Sequence, residues 1–212
     1  MNAALQNALR TTAVLLVFAI VGTALLASTF FATRPAISRS EQEAQLHFIR
    51  QVLPPGAFDN DILNDVRTLP PDPLLGTRRP ASAWIARKQG QPTAVVLEAI
   101  APDGYSGEIG LVIGIDANGV ITGVRVTRHT ETPGLGDYID IAKSNWIEQF
   151  RGKSLSAPPE LKWRVKKDGG AFDSVAGATI TPRAVVKAVK SALDYFARHQ
   201  ADLLAPAAKA HP

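Results

Sequence analysis

An uncharged, apolar run extends from Thr11 to Thr33, rich in Leu, Val, Ala and Phe. A bilayer core is crossed by about 20 such residues in a helix, so the run predicts a retained transmembrane anchor. A cleaved signal peptide would have a shorter apolar region of roughly 7–15 residues. Beyond it, Ser40-Glu-Gln-Glu43 reads as a capping box that opens a linker helix. Ala44, Phe48, Ile49 and Val52 continue that helix at amphipathic spacing, and Pro54-Pro55-Gly56 ends it. Residues 60–80 are rich in Pro and Asp and predict loop with one short helical piece.

Extended structure is expected next. Trp84 to Ala86 and Thr93 to Ile100 read as strands. Glu108 to Ile115 and Val120 to Thr127 flank Asp116-Ala-Asn-Gly119, a hairpin signal. Tyr138 to Phe150 predicts a helix, with Trp146 in the core, and Leu161 to Lys166 alternates like a strand. From Arg183 onward, Val185, Val186, Val189, Leu193 and Phe196 fall at helical spacing and carry a closing helix to about Leu204. Thr181 suits its N-cap and Pro182 its first turn. The Ala/Pro/Lys tail, residues 206–212, is expected to be disordered.

Composition narrows the function. A chain of 212 residues holds one domain plus an accessory element. The net charge of +4 is spread along the chain, with Arg78-Arg79 and Lys166-Lys167 as pairs, so no nucleic-acid surface is indicated. There is no cysteine. Disulfides, thiolate catalysis and Cys-ligated iron–sulfur clusters are therefore excluded within the chain, and a redox role needs another carrier.

Candidate chemistry gathers in Asp173-Ser-Val-Ala-Gly-Ala-Thr-Ile-Thr-Pro182. Gly177 and Ala178 leave the backbone bare, so an anion can approach their amides. Thr179 stands just before a helix start, where amides and dipole favour a phosphate. On composition alone, both threonines are explained as helix-start residues. Lys166 or Lys167 can offset a phosphate charge, although an exposed lysine needs no such role. Upstream, Glu131-Thr132-Pro133-Gly134-Leu135-Gly136 offers glycines for close backbone approach and Leu135 for packing against a ring. Taken alone it is a Pro-Gly turn leaving a strand. Tyr105 and Gly107 can line a ligand pocket, and turn chemistry explains the glycine equally well. His129 and Glu131 are too few for a metal site.

Asp173-x-x-Ala-Gly-Ala-Thr179 resembles the flavinylation motif of FMN-binding subunits in the RnfG (RsxG) and NqrC families, which reads Asp-x-x-(Ser/Thr)-Gly-Ala-Thr. Here Ala176 stands in the Ser/Thr position, which removes one hydroxyl beside the phosphate. Glu-Thr-Pro-Gly-Leu-Gly is a second signature of the same family, in the family's order. The resemblance covers nearly the whole chain, and shorter length favours RnfG over NqrC. It implies an α+β fold: a single N-terminal transmembrane helix, then an FMN-binding domain of mainly antiparallel strands flanked by helices.

The expected layout is a short cytoplasmic N-terminus (1–10), the transmembrane helix (11–33), a linker helix (34–56), the FMN-binding domain (57–205) and the tail (206–212). The resemblance further implies FMN held by a phosphoester to Thr179, with Gly177 and Ala178 cradling the phosphate. Glu131, Thr132, Gly134 and Leu135 would contact the ring or ribityl chain. It implies an electron-carrier subunit of the Rnf complex, which couples ferredoxin and NAD chemistry to ion movement, rather than a complete enzyme. Its partners would be the other membrane subunits and a separate flavin transferase that uses FAD. Arg10 on one flank and Arg34 and Arg39 on the other would favour a cytoplasmic domain by charge. The resemblance implies the periplasmic face of the bacterial inner membrane, and long domains cross largely regardless of charge. Alternatives are the NqrC role in a sodium-pumping quinone reductase, or a flavin-free, membrane-anchored scaffold.

Overall fold

The computed structural model describes residues 3–205. The expectation for the tail, residues 206–212, lies outside them. Two compact units divide between Ala44 and Gln45.

Helix α1 runs unbroken over Ala3–Val52. The described residues of the first unit all belong to this helix, and it is the one described helix long and apolar enough to cross a membrane. Its apolar side chains, Leu15, Phe18 and Leu26 among them, are exposed around the helix. Three hydroxyls near its middle turn back onto the helix instead: Ser28 Oγ donates to Leu25 O at 2.9 Å, Thr29 Oγ1 to Leu25 O at 2.8 Å and Thr33 Oγ1 to Thr29 O at 2.9 Å. That is how a lipid-facing helix satisfies polar groups. The capping box at Ser40 starts no new helix, because it lies inside α1. The preceding residues, Pro35 included, already hold helical geometry, so Ser40 has no orphan amides to cap.

The second unit is built on an antiparallel meander: β1 (Val66–Leu69), β2 (Ala81–Lys88), β3 (Gln91–Ala101), β4 (Ile109–Asp116) and β5 (Ile121–Arg128), in that spatial order. The hairpin closes as its residues demand. Asp116 Oδ1 accepts from the amides of Asn118 (2.8 Å) and Val120 (2.9 Å), and Gly119 adopts φ +80°. Strand β1 falls in the segment read as loop. At four residues it is too short, and too mixed in polarity, to show a period.

Both faces of the sheet are covered, which is why β3 and β4 read as near-continuous apolar runs. One face packs on the last turns of α1 through Ile49, Val52, Leu53, Trp84, Val96 and Val112. Gly114 and Gly123 permit that approach: an added Cβ would lie 2.6 Å from Val52 O or 2.8 Å from Val52 Cα. The other face carries the main core, sealed by α2 (Ile180–Leu203) with Val185, Val189, Leu193 and Phe196 inward.

Between β5 and α2 the chain is irregular. Instead of one helix over Tyr138 to Phe150 there are two 3₁₀ turns, Asp137–Ile139 and Asn145–Phe150. Side chains compete with the helical ladder here. Asp140 Oδ1 accepts from Ala142 N at 2.9 Å, and Ser144 Oγ donates to Tyr138 O at 2.7 Å and accepts from Trp146 N at 3.1 Å. Leu161 to Lys166 is not a strand either. Its backbone folds onto the next loop through Lys166 N to Phe172 O (2.6 Å) and Phe172 N to Arg164 O (3.1 Å). An added Cβ on Gly170 would strike Arg164 O at 1.8 Å, so this loop closes only around a glycine.

Candidate functional site

Three loops meet at one end of the sheet. The first follows β3 and contains Gly104-Tyr105-Ser106-Gly107. The second leaves β5 through Glu131 to Gly136. The third is the entry to α2. They enclose a cleft of about 370 Å³ lined by Tyr105, Glu131, Thr132, Leu135, Gly136 and residues 177–181. Its volume lies within the roughly 300–1,000 Å³ of small-molecule sites. The polar and apolar parts are separate in kind. Tyr105, Leu135 and Ile180 present exposed apolar surface, whereas Thr179 and the helix start supply hydroxyl and amide donors.

The turn before α2 is set by its sequence. Ala178 N donates to Val175 O at 3.2 Å across Ala176-Gly177, and Gly177 has φ +85°. A positive φ at the third position of such a turn calls for glycine. Nothing lies within 4 Å of where a Gly177 Cβ would stand, so the requirement is conformational, and Ala176 needs no hydroxyl to make the turn. Helix α2 begins at Ile180, with Thr179 rather than Thr181 at the cap position. Thr179 is 8% exposed, lines the cleft, and its side chain makes no cap hydrogen bond. Thr181 lies inside the helix at 1% exposure, and its Oγ1 donates to Glu131 Oε2 at 2.6 Å. The cap shifts because the Glu131 carboxylate claims the second hydroxyl, drawing its residue into the first turn.

Glu131 is 4% exposed, and its other oxygen accepts from Ser106 N at 3.0 Å. Below it the loop turns through Leu135 N and Gly136 N, both donating to Thr132 O at 3.1 Å. Gly134 has φ +77° and its amide donates to Asp137 Oδ1 at 2.8 Å, so it shapes the loop without lining the cleft. Lys166 does not line the cleft either; it pairs with Asp173 at 2.6 Å, both side chains being largely exposed.

Chain-wide similarity is consistent with this geometry. Residues 104–194 match the FMN-binding domain family, and residues 1–52 match the RnfG N-terminal region. Relatives named as the G subunit of the ion-translocating oxidoreductase complex align along most of the chain. The Pseudomonas aeruginosa protein is 50% identical over 208 residues, 97% of each chain. The Vibrio cholerae protein is 50% identical over 190 residues, 90% of each. The Shewanella baltica protein is 47% identical over 189 residues, 89% of each.

The chain belongs to the RnfG family of ion-translocating oxidoreductase complex subunits. Every residue lining the cleft falls inside the FMN-binding match, and that domain makes FMN the group to fit. The donor set suits it: apolar side chains for a flat ring, and a bare turn with unprotected helix-head amides for a phosphate.

Periodicity and motifs do not reveal the groups that hold the third loop. Tyr138 Oη donates to Ala178 O at 3.1 Å and accepts from Val175 N at 3.3 Å, gripping both ends of the turn. Burial pushes the Tyr138 phenol above its usual range, and the Val175 amide opposes that. Trp146 Nε1 donates to Asp173 O at 2.7 Å, and Asp173 N donates to Gln149 Oε1 at 2.8 Å. Trp146 therefore does more than fill the core. These contacts span more than twenty residues of sequence, and no local pattern announces them.

Proposed function

We propose that the protein is an electron-carrier subunit of a membrane ion-translocating oxidoreductase complex, with FMN joined to Thr179 by a phosphoester. The observation that carries this reading is the Thr179 hydroxyl. It belongs to a residue that lines the cleft at the head of α2, makes no cap bond, and stands at the end of Asp173-x-x-Ala-Gly-Ala-Thr179. The relatives named for the ion-translocating complex support the assembly, and the FMN-binding match supports the cofactor. When bound, FMN supplies one- and two-electron chemistry that can link carriers of different electron count.

The chain's own residues bind and orient. Leu135, Tyr105 and Ile180 would flank the ring, Gly177 and Ala178 would let the phosphate reach backbone amides, and no residue need act as acid or base. A tether keeps the flavin at the protein through many turnovers and raises its effective concentration at one membrane face. Attachment calls for a flavin transferase using FAD. The Thr179 oxygen forms a bond to the phosphorus of the FMN half, the anhydride bond breaks, AMP leaves, and the hydroxyl proton passes to a base on the transferase. The first unit would anchor the protein in the inner membrane with the domain in the periplasm. Reporter fusions at the C-terminus, active only on one side, test that orientation.

Intact mass of protein matured in a host containing the transferase tests the attachment. The expected result is an added FMN-phosphoryl mass on the peptide holding Thr179, absent from Thr179→Ala, which still folds. An unmodified, colourless wild-type chain would overturn the reading.

A further inference from the structure

We infer that Glu131 and Thr181 form a buried latch that closes the cleft and leaves Thr179 as the available acceptor hydroxyl at the head of α2. The inference rests on the reading of Thr179 as the flavinylated residue.

Two threonines stand two positions apart at this helix start, and a transferase must distinguish them. Phosphoryl transfer needs an oxygen that can be reached and a proton that can leave. Thr181 offers neither. It is 1% exposed, and its proton is held by a carboxylate at 2.6 Å, in the range of strong charge-assisted bonds. Both threonines line the cleft, but Thr179 is the more exposed, at 8%, and its side chain makes no cap bond.

The latch is also sterically prepared. An added Cβ on Gly136 would lie 2.6 Å from Glu131 Oε2 and 3.0 Å from Thr181 Oγ1. One on Gly104 would lie 2.2 Å from Gly107 O and 2.9 Å from Glu131 Oε1. Neither glycine has a positive φ, so what each provides is room rather than backbone freedom: Gly136 beside the carboxylate, Gly104 between the Gly107 carbonyl and the carboxylate. Ser106 N completes the arrangement. One carboxylate thus ties together the three loops that form the cleft. With both oxygens engaged inside the protein, Glu131 is a positioning residue. Thr181, Gly104 and Gly136 join it in that role.

The test uses the full-length chain co-expressed with its flavin transferase, comparing wild type, Thr179→Ala, Thr181→Val and Thr181→Ser. Site-mapped mass spectrometry gives the modified residue, and the initial rate of flavin incorporation gives efficiency. The visible circular dichroism of the bound flavin reports its setting. Thr181→Val is expected to be modified still at position 179, but at a roughly ten-fold lower rate, as the loss of one bond to a charged group would give. Its flavin dichroism should also change, and Thr181→Ser should restore both. Thr179→Ala is expected to carry no flavin at Thr181. Wild-type rate and dichroism in Thr181→Val would overturn the latch, as would flavin on Thr181 in Thr179→Ala. If Thr181→Val does not fold, Thr179→Ala and Thr181→Ser decide: a serine variant with slowed incorporation and altered dichroism despite a native fold also overturns it. Wild-type protein with flavin at neither threonine would instead sink the underlying attachment, a distinct outcome.

Discussion

The meander from Val66 to Arg128 and the irregular segment from Asp137 to Thr179 contribute to the same core but are held by different means. In the meander each strand is fixed by a ladder of neighbours, so the register survives the loss of any one contact. In the irregular segment, positions are set by single side-chain bonds to backbone, such as Trp146 to Asp173 and Tyr138 to Ala178. Repetition gives the first region stability. The second gains the freedom to aim a turn at a cleft, at the risk that one substitution misplaces it. Phe172 lies in the core that the two regions share, stacked on Phe150 at 4.9 Å and against Trp163 at 5.0 Å.

That shared core is where the contrast breaks most severely. Phe172→Ala removes a side chain 1% exposed and should destabilise the second unit by about 3–5 kcal/mol, read as a lowered denaturant midpoint. If the midpoint barely moves, the irregular segment is not part of the cooperative core.

Gly136→Ala is next in size. The added methyl has to displace the Glu131 carboxylate, at a cost of about 1–3 kcal/mol. Hydrogen exchange should rise in all three cleft loops while the β3–β4 ladder stays protected. Uniform loosening of the sheet would show that the two regions are not separable.

Trp146→Phe sharpens the comparison. It keeps an aromatic ring between Tyr138 and Phe150 but deletes the bond to Asp173 O, costing about 0.5–1.5 kcal/mol. The effect should be concentrated in exchange at residues 173–178.

The smallest effect is electrostatic. Partial burial of Glu148 raises its carboxyl pKa, but the pairs with Arg151 (3.0 Å) and Arg125 (2.6 Å) outweigh that and hold it below the usual carboxylate value. A carboxylate depressed on folding contributes stability above its unfolded pKa of about 4.3, and loses it as pH falls through the lower folded value. The melting temperature should therefore decline below about pH 4.3, and Glu148→Gln should flatten that slope. An unchanged slope would remove these pairs from the account of how the 3₁₀ turn is held on β5.

Local patterns carried much of this architecture. The uncharged run, the Asp-Ala-Asn-Gly hairpin and the helical spacing from Val185 to Phe196 each report a rule satisfied by near neighbours, and each is found where expected. The cleft was legible in part. Tyr105, Glu131, Thr132, Leu135, Gly177, Ala178 and Thr179 do line one pocket, but Lys166 and Gly134 stand outside it. The helix over Tyr138 to Phe150 failed because Asp140 and Ser144 bind nearby backbone groups, an alternative that periodicity does not register.

The sequence alone determined that the chain has an apolar anchor, a run of paired strands and a threonine at a helix head, since those properties depend on residues within a few positions of one another. Only the tertiary structure decided which threonine is free. Thr179 and Thr181 are chemically alike, and a carboxylate fifty positions away, Glu131, makes them different by burying itself against one hydroxyl. Burial and long-range pairing are properties of the folded chain, and two identical side chains acquire separate roles only there.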